Sequence, residues 1–422
     1  MESPAAEARM ILVAIINPER LLNDLRRLRG FGATGPGVVR LALSPVDIEA
    51  RRWLVARMSD AGLDAAIDGL GTVFGRSRRS GPAIVIGSHS DTQPCGGWLD
   101  GAMGVIFGLE IARAFGESRG ERDMAVDVAS WIDEEGTFSG YLGSRSFCGE
   151  NVQAAIETAR NREGMKLDEA LRAAGIFGRP LARLEPGRHC AYLEPHIEQG
   201  GRLETEGKRI GVVTGIVGIH EMKVTFHGQR NHAGTTPMAI RNDAGAALLA
   251  FTRWLDEAFR QLAGPETVWN IGRIELDPGS PSVVPGRAEM LFQFRDPDAA
   301  RLARLSDRLA GLVRTADETG PARVSLETFD AAVPPVAMDP RLQAHIAAAA
   351  EQHAPGGWMR LPSGAGHDAQ IIAPHLPAAM LFVPSIGGVS HDFSEDTSEA
   401  DIVLGCQVAA SAAARILHAV AG

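Results

Sequence analysis

Three histidines and a small set of carboxylates stand where a metal site would need them. His89 lies in Gly87-Ser88-His89-Ser90-Asp91-Thr92, just after the apolar run Ala83 to Gly87. Asp100 follows in Trp98-Leu99-Asp100-Gly101, ahead of a helical pattern. Glu134 and Glu135 come after the apolar run Val126 to Ile132 and before Gly136. His196 sits in Glu194-Pro195-His196-Ile197-Glu198-Gln199-Gly200, and His391 in Gly388-Val389-Ser390-His391-Asp392, beyond the run Ala378 to Val383. Imidazole nitrogen and carboxylate oxygen suit Zn²⁺ and also Mn²⁺, Co²⁺ or Ni²⁺. A carboxylate has two oxygens, so one Asp can bridge two ions. Two ions roughly 3.5–4 Å apart can activate a water and polarise a carbonyl. Adjacent side chains of an extended segment point opposite ways. Glu134 and Glu135 can therefore divide the work, one binding metal and the other acting as general base.

Such residues need strand ends to position them, because open α/β sheets bind ligands beyond the carboxyl ends of their strands. A helix over residues 17–32, with Asn17 as cap and Pro18 inside it, is predicted, and a second after Ser44-Pro45 through Trp53 and Met58. Ala83 to Gly87 and Val126 to Ile132 read as strands around a helix from Met103 to Phe115. This βαβ rhythm implies a largely parallel sheet. The pattern changes after about Thr214. Strands over Met222–Phe226, Val268–Ile274, Ala288–Phe294 and Ala322–Thr328 alternate with a long helix within Ala239–Leu262 and another over Asp298–Thr315, an α+β arrangement. The first pattern then returns, with a helix from Pro340, a strand at Ala378–Val383 and a helix closing at His418. The expected fold is α/β: one catalytic domain (1–214 and 332–422) split by an inserted α+β domain (215–331).

Of the 422 residues, 45% are hydrophobic and 22% charged, the balance of a globular chain. The net charge of −10, with no dense Lys/Arg stripe, argues against nucleic acid and anionic membranes as partners. The apolar run Met10 to Ile16 is too short to span a bilayer and lacks a basic leader. Four cysteines, Cys95, Cys148, Cys190 and Cys406, form no CxxC pair, which fits a reducing cytoplasm.

Taken together, the motifs are specific. Gly-Ser-His-Ser-Asp-Thr-Gln-Pro from Gly87, Asp100-Gly101-Ala102, Glu134-Glu135-Gly136, His196-Ile197-Glu198-Gln199-Gly200, Asn231-His232-Ala233-Gly234-Thr235-Thr236-Pro237-Met238, Gly364-Ala365-Gly366-His367-Asp368-Ala369 and Ser390-His391 run nearly the length of the chain. With them the chain resembles the hydantoinase/carbamoylase-type amidases of the M20 metallopeptidase clan. That group comprises N-carbamoyl-L-amino acid hydrolases, β-ureidopropionases and allantoate amidohydrolases.

The resemblance implies a phosphorylase/hydrolase-like catalytic domain with a mixed central sheet, an inserted lid and dimerisation domain, and a homodimer formed by sheet pairing between the inserts. It implies two divalent metal ions bridged by Asp100. His89 and His391 would each serve one ion, with Glu135 and His196 shared between the two in a pairing left open. Glu134 would be general base and then acid. The Asp91 carboxylate would orient His89, and the Asp100–Gly101 bond would be cis. Gln199 would contact the amide or ureido group, and His232 would stabilise the oxyanion. Arg295 would pair with the carboxylate of a small-molecule substrate, helped by backbone N–H groups at Gly364 and Gly366.

Two departures fall in the insert. Ser282 stands where many relatives have Asn, and Gln293 where many have Asp, two residues before the arginine. They leave hydrolysis of an N-carbamoyl-L-amino acid or related ureido compound as the first reading. Hydrolysis of an N-acyl amino acid, as by an aminoacylase or dipeptidase, stands beside it. A binding protein with a decayed site is the reading from another class, and a metal titration separates it from both.

Overall fold

The computed structural model describes residues 14–118 and 124–421. Most of the apolar run expected near the start, residues 10–13, lies outside them. The chain divides into two compact units, Met1–Thr214 with Ala337–Gly422, and Gly215–Val336.

The first unit opens with α1 (Pro18–Arg29) and α2 (Pro45–Asp60). Both start as their sequences dictate. Asn17 Oδ1 accepts from Arg20 N at 3.1 Å and Ser44 Oγ from Asp47 N at 3.3 Å, with a proline in each first turn. Strands β1 (Leu63–Ile67), β2 (Val73–Ser77) and β3 (Ala83–His89) follow, then α3 (Ala102–Glu117), β4 (Ala125–Trp131), β5 (His189–Ile197) and β6 (Ile210–Ile216).

The second unit is a four-stranded antiparallel sheet of β7 (Gly218–His227), β8 (Val268–Asp277), β9 (Arg287–Asp296) and β10 (Arg323–Val333), in spatial order β8-β9-β7-β10. Helices α4 (Ala244–Leu262) and α5 (Ala299–Thr319) cover one face. Leu248, Phe251, Leu255 and Phe259 recur at helical spacing, as do Leu302, Leu305 and Leu309. They meet Val224, Phe226, Met290, Phe292 and Phe294, every second residue of their strands. The alternation leaves Glu221, Gln293 and Arg295 on the other face.

The chain then completes the first unit with α6 (Pro340–His353), β11 (Trp358–Ser363), α7 (Asp368–Ile372), β12 (Ala378–Val383) and α8 (Glu399–Ala421). Its sheet runs β6-β12-β5-β3-β4-β2-β1, with β11 paired to β6. The four central strands, β12, β5, β3 and β4, are parallel. The pairings of β6 to β12, β2 to β4 and β1 to β2 are antiparallel, so the sheet is mixed rather than largely parallel. The parallel strands are buried along almost their whole length because they are covered on both faces. Helix α3 lies very close to them: a Cβ on Gly104 would meet the Pro195 carbonyl oxygen at 2.3 Å. Helix α8 is long and apolar enough to cross a membrane, but 67% of its apolar window is buried within the protein, as in a core helix.

Arg51 of α2 fixes the sheet's working end. Its Nη1 donates to the carbonyls of Gly71 and Ser130, its Nη2 to that of Trp131, and its Nε to Asp47 at 2.9 Å. Nη2 also lies 3.5 Å from Asp91 Oδ1, and all three charged side chains are fully buried. Arg51→Met strands two buried carboxylates, which is expected to cost about 3–5 kcal/mol of stability. Urea unfolding checks this. A loss near the ~1 kcal/mol of an exposed ion pair would show that Arg51 does not tie the strand ends.

Candidate metal centre

All four parallel strands end on one edge, and each delivers a candidate ligand there. His89 is the last residue of β3, His196 the penultimate residue of β5. Glu134 and Glu135 follow β4, and His391 lies in the loop after β12. Asp100 precedes α3. Two clusters result, His89–Asp100–His196 and Asp100–Glu135–His391, whose ligand atoms lie within 4.8 Å of one another. Asp100 belongs to both and points one oxygen at each. Its Oδ1 is 3.2 Å from His196 Nε2 and 3.9 Å from His89 Nε2, and its Oδ2 is 3.3 Å from His391 Nε2. His391 Nε2 is also 3.7 Å from Glu135 Oε2.

The imidazoles are oriented by main chain. His89 Nδ1 donates to the Asp91 carbonyl at 3.0 Å and His196 Nδ1 to that of Ile197 at 2.9 Å. Both Nε2 atoms therefore lie on the Asp100 side, where that of His196 also accepts from the Gly101 N–H at 3.2 Å. This corrects the expectation for Asp91: its backbone, not its carboxylate, holds His89. The carboxylate turns instead to Arg51 and to the Glu135 N–H, 3.3 Å from Oδ2. Asp91 thus braces a second ligand loop.

The Asp100–Gly101 bond is not cis; the cis peptide among the described residues is Asp277–Pro278. The chain reverses here by another device. Gly101 has φ 62° and ψ −49°, and Ala102 N donates to Asp100 O at 2.6 Å, a γ-turn. Only glycine fits: a Cβ at Gly101 would lie 2.4 Å from the His89 ring.

Glu134 and Glu135 also diverge for a reason other than strand alternation. Asp133, at φ 57°, turns the chain at the strand's end, and its carboxylate accepts from the N–H groups of Phe138 and Ser139. Glu134 then faces His89 Nε2 at 3.6 Å. Glu135 faces His391 and accepts from Gln93 Nε2 at 2.7 Å.

The electrostatics are those of crowded, buried acids. Burial, then the neighbouring Asp100, pushes Glu135 up to about 7. Burial likewise raises Glu134 well above the usual range, against the charge of His89. Asp100 is the exception: burial opposes its charge, but His391, His196 and His89 together hold it below the usual carboxylate range. The hydrogen bond to Asp100 raises His391 to about 9, whereas burial lowers His196 to about 4.

Divalent cations fit this donor set. Nitrogen and oxygen donors converge in two triads, and buried Glu135 Oε1 has no hydrogen-bond partner. Gln199, at φ 57°, donates from Nε2 to Asp100 Oδ1 at 3.1 Å and to Ser390 Oγ at 3.2 Å, while its buried Oε1 has no partner.

Three supporting residues carried no role in the sequence reading. Glu395 accepts from Asp100 N at 3.0 Å, Leu99 N at 3.3 Å and Ser390 Oγ at 2.9 Å, tying the Asp100 turn to the His391 loop. Gln93 holds Glu135. His367 packs edge-on against His196, with ring centroids 4.5 Å apart. Gln93 and His367 lie inside the recognised motifs, which was their signal; Glu395 lies outside them.

The remaining candidates fall in two places. Gly364 and Gly366 form the loop between β11 and α7, in the first unit. His232, Ser282 and Arg295 belong to the second. There His232 and Ser282 are brought together: Asn231–His232 pairs with Val283–Val284, and Ala233 N donates to Ser282 O at 2.9 Å. His232 Nδ1 accepts from the N–H groups of Gly234 and Thr235 at 3.0 and 3.2 Å, so its Nε2 carries the proton and is a donor.

Glu395→Ala and Gly101→Ala are each expected to weaken divalent-metal affinity about 10–100-fold, as loss of a ligand's support does. Competition against a chromogenic chelator measures this, and unchanged affinity in both variants would refute the positioning assigned to these residues.

The family model described as peptidase family M20/M25/M40 matches residues 85–415. The chain is 33% identical over 402 residues to an N-carbamoyl-L-amino acid amidohydrolase of Geobacillus stearothermophilus, covering 93% of this chain and 97% of that one. It is 33% identical over 390 residues to an allantoate amidohydrolase of Escherichia coli (strain K12), covering 91% and 94%. Among solved structures, an amidase of the hydantoinase/carbamoylase family from Burkholderia phymatum is 62% identical, with a TM-score of 0.93 over 96% of this chain and 99% of that chain. The motifs, the fold and these likenesses agree that the chain belongs to the M20/M25/M40 peptidase family, among its hydantoinase/carbamoylase-type amidases.

Proposed function

We propose that the protein hydrolyses the linear C–N bond of an N-carbamoyl-L-amino acid or related ureido compound, using two divalent cations held by the triads that share Asp100. The observation that carries the ureido reading is Gln199. Its amide nitrogen is committed to Asp100 and Ser390, so its unpartnered Oε1 presents a buried acceptor beside the ligands. A ureido N–H is the donor such an oxygen requires. The names of the relatives, an N-carbamoyl-amino acid and an allantoate amidohydrolase, support the same class.

Bound cations would polarise the scissile carbonyl and lower the pKa of the attacking water. Glu134 takes the proton from that water and returns it to the leaving nitrogen; its raised pKa suits both halves of the task. The His232 Nε2–H donates to the developing oxyanion. Arg295 pairs with the substrate carboxylate, with Ser282 and the backbone of Gly364 and Gly366 as further polar contacts. The products are the amino acid, CO₂ and ammonia.

One feature favours the second reading, hydrolysis of an N-acyl amino acid. A cavity of about 170 Å³ borders Glu135, lined by Leu41, Gln93, Pro94, Thr137 and Arg162 among others. It has room for an acyl group larger than carbamoyl.

We also propose a homodimer. Edge strand β8 is exposed along most of its length, with Val268, Ile274 and Leu276 open, an invitation to pair with a second copy. Sedimentation is expected to give twice the 44.8 kDa chain mass, and a monomer across micromolar concentrations would rule the dimer out.

The enzyme loaded with Mn²⁺ or Zn²⁺ is expected to release ammonia from N-carbamoyl-L-amino acids, N-carbamoyl-β-alanine or allantoate. Release of amino acid from N-acetyl or N-formyl substrates alone would move the assignment to the second reading. Glu134→Gln is expected to keep its metal and lose about 10²–10⁴-fold in kcat. Loss of metal instead would mean that the roles of Glu134 and Glu135 are exchanged.

A further inference from the structure

The loop that carries Glu134 turns back at Tyr141, which holds φ 51° and ψ 24°. Such left-handed backbone costs a bulky residue free energy and persists where the surroundings impose it. Here they do. Arg145 N and Ser144 Oγ donate to the Tyr141 carbonyl at 3.0 and 3.2 Å, and Tyr141 N donates to the Glu134 carbonyl at 3.4 Å. The half-buried ring then reaches the loop between β11 and α7, where its hydroxyl lies against Gly366.

Gly366 makes room for it. A Cβ at Gly366 would lie 2.1 Å from the Tyr141 hydroxyl oxygen. Space, not backbone angle, requires this glycine, since it is not among those with positive φ. The phenol thus occupies the position a side chain would take. Its O–H has no hydrogen-bond partner among the described residues, and neither has the Gly366 N–H beside it. Burial, then the acids Glu134 and Asp368, hold the phenol above its usual range, so it keeps its proton. Two uncommitted donors side by side suit one acceptor oxygen, best a charged one.

We infer that Tyr141 is a substrate-binding residue, whose O–H joins the Gly366 N–H in a two-donor cradle that takes one oxygen of the substrate carboxylate. The inference rests on the proposed role of Gly366. It adds a side-chain donor to a contact otherwise made there by backbone alone, and it gives the strained backbone of Tyr141 a function.

The chain has only two tyrosines, Tyr141 and Tyr192. Tyr192 is fully buried, with its hydroxyl bonded to Trp131 Nε1 at 2.9 Å and to the Gly87 carbonyl at 3.0 Å, so it serves as a silent reference. The Zn²⁺-loaded Glu134→Gln protein, labelled with 3-fluorotyrosine, is titrated with N-carbamoyl-L-alanine and with N-acetyl-L-alanine while ¹⁹F NMR follows both rings and calorimetry follows binding. The Tyr141 signal, assigned by its loss in Tyr141→Phe, is expected to shift saturably with bound ligand while that of Tyr192 stays. In the active enzyme Tyr141→Phe is expected to raise KM about tenfold, the worth of one hydrogen bond to a charged group, with kcat and metal affinity unchanged. Ligand bound without movement of the Tyr141 signal, or an unchanged KM in Tyr141→Phe, overturns the inference. A loss of kcat and metal affinity together would also overturn it, by showing that Tyr141 only supports the loop. Binding and a shift with N-acetyl-L-alanine alone would refute the ureido reading and leave the cradle standing.

Discussion

Everything at the working edge of the sheet depends on one carboxylate facing two ways. Asp100 is buried, yet it is the acid there that stays readily ionised, because imidazoles lie against both its oxygens. Around it, Glu134, Glu135 and Glu395 are all pushed upward by burial. A largely buried cluster with this many acids is costly unless positive charge enters it. The topology creates the problem and the remedy together. Four parallel strands end side by side, so their following loops converge, and what those loops carry is one donor set.

The donors are aimed by backbone. Asp133, Gln199 and His391 all adopt positive φ without being glycine, and all three stand at this edge. Such conformations cost free energy and persist where surrounding bonds over-determine them. Asp133 is pinned by two N–H groups, and the Gln199 backbone N–H by Ser385 Oγ at 3.0 Å. Glu395 locks the loops of Asp100 and His391 to each other, and Arg51 holds the ends of β3 and β4 from behind. The candidate ligands are therefore held in place by hydrogen bonds from the groups behind them.

Much of this was legible in the sequence, and the rest was hidden for physical reasons. Ala378–Val383 is a strand over the residues expected, since a fully buried strand is an unbroken apolar run. Strand β5 carries His196 yet gave no such signal, because Glu194, Pro195 and His196 interrupt the run with the chemistry it delivers. The outer strands β1, β2, β6 and β11 were missed; β1 and β2 are short, with alternating burial. Their antiparallel pairing is what makes the sheet mixed. The candidate ligands were visible as motifs. Their braces were not, because Glu395 and Arg51 meet the ligands only through the fold. The turn at Gly101 and the backbone hold on His89 show the same limit: residue type named the participants, but φ and ψ decided which atom acts.

The proposed chemistry turns on Asp100 being shared between two cations. Crystals of the metal-loaded enzyme measured at the metal's absorption edge test it most directly. Two anomalous peaks are predicted, one against His89 and His196 and one against Glu135 and His391, each touching a different Asp100 oxygen. A single peak, or two that leave Asp100 bound to only one, would contradict it.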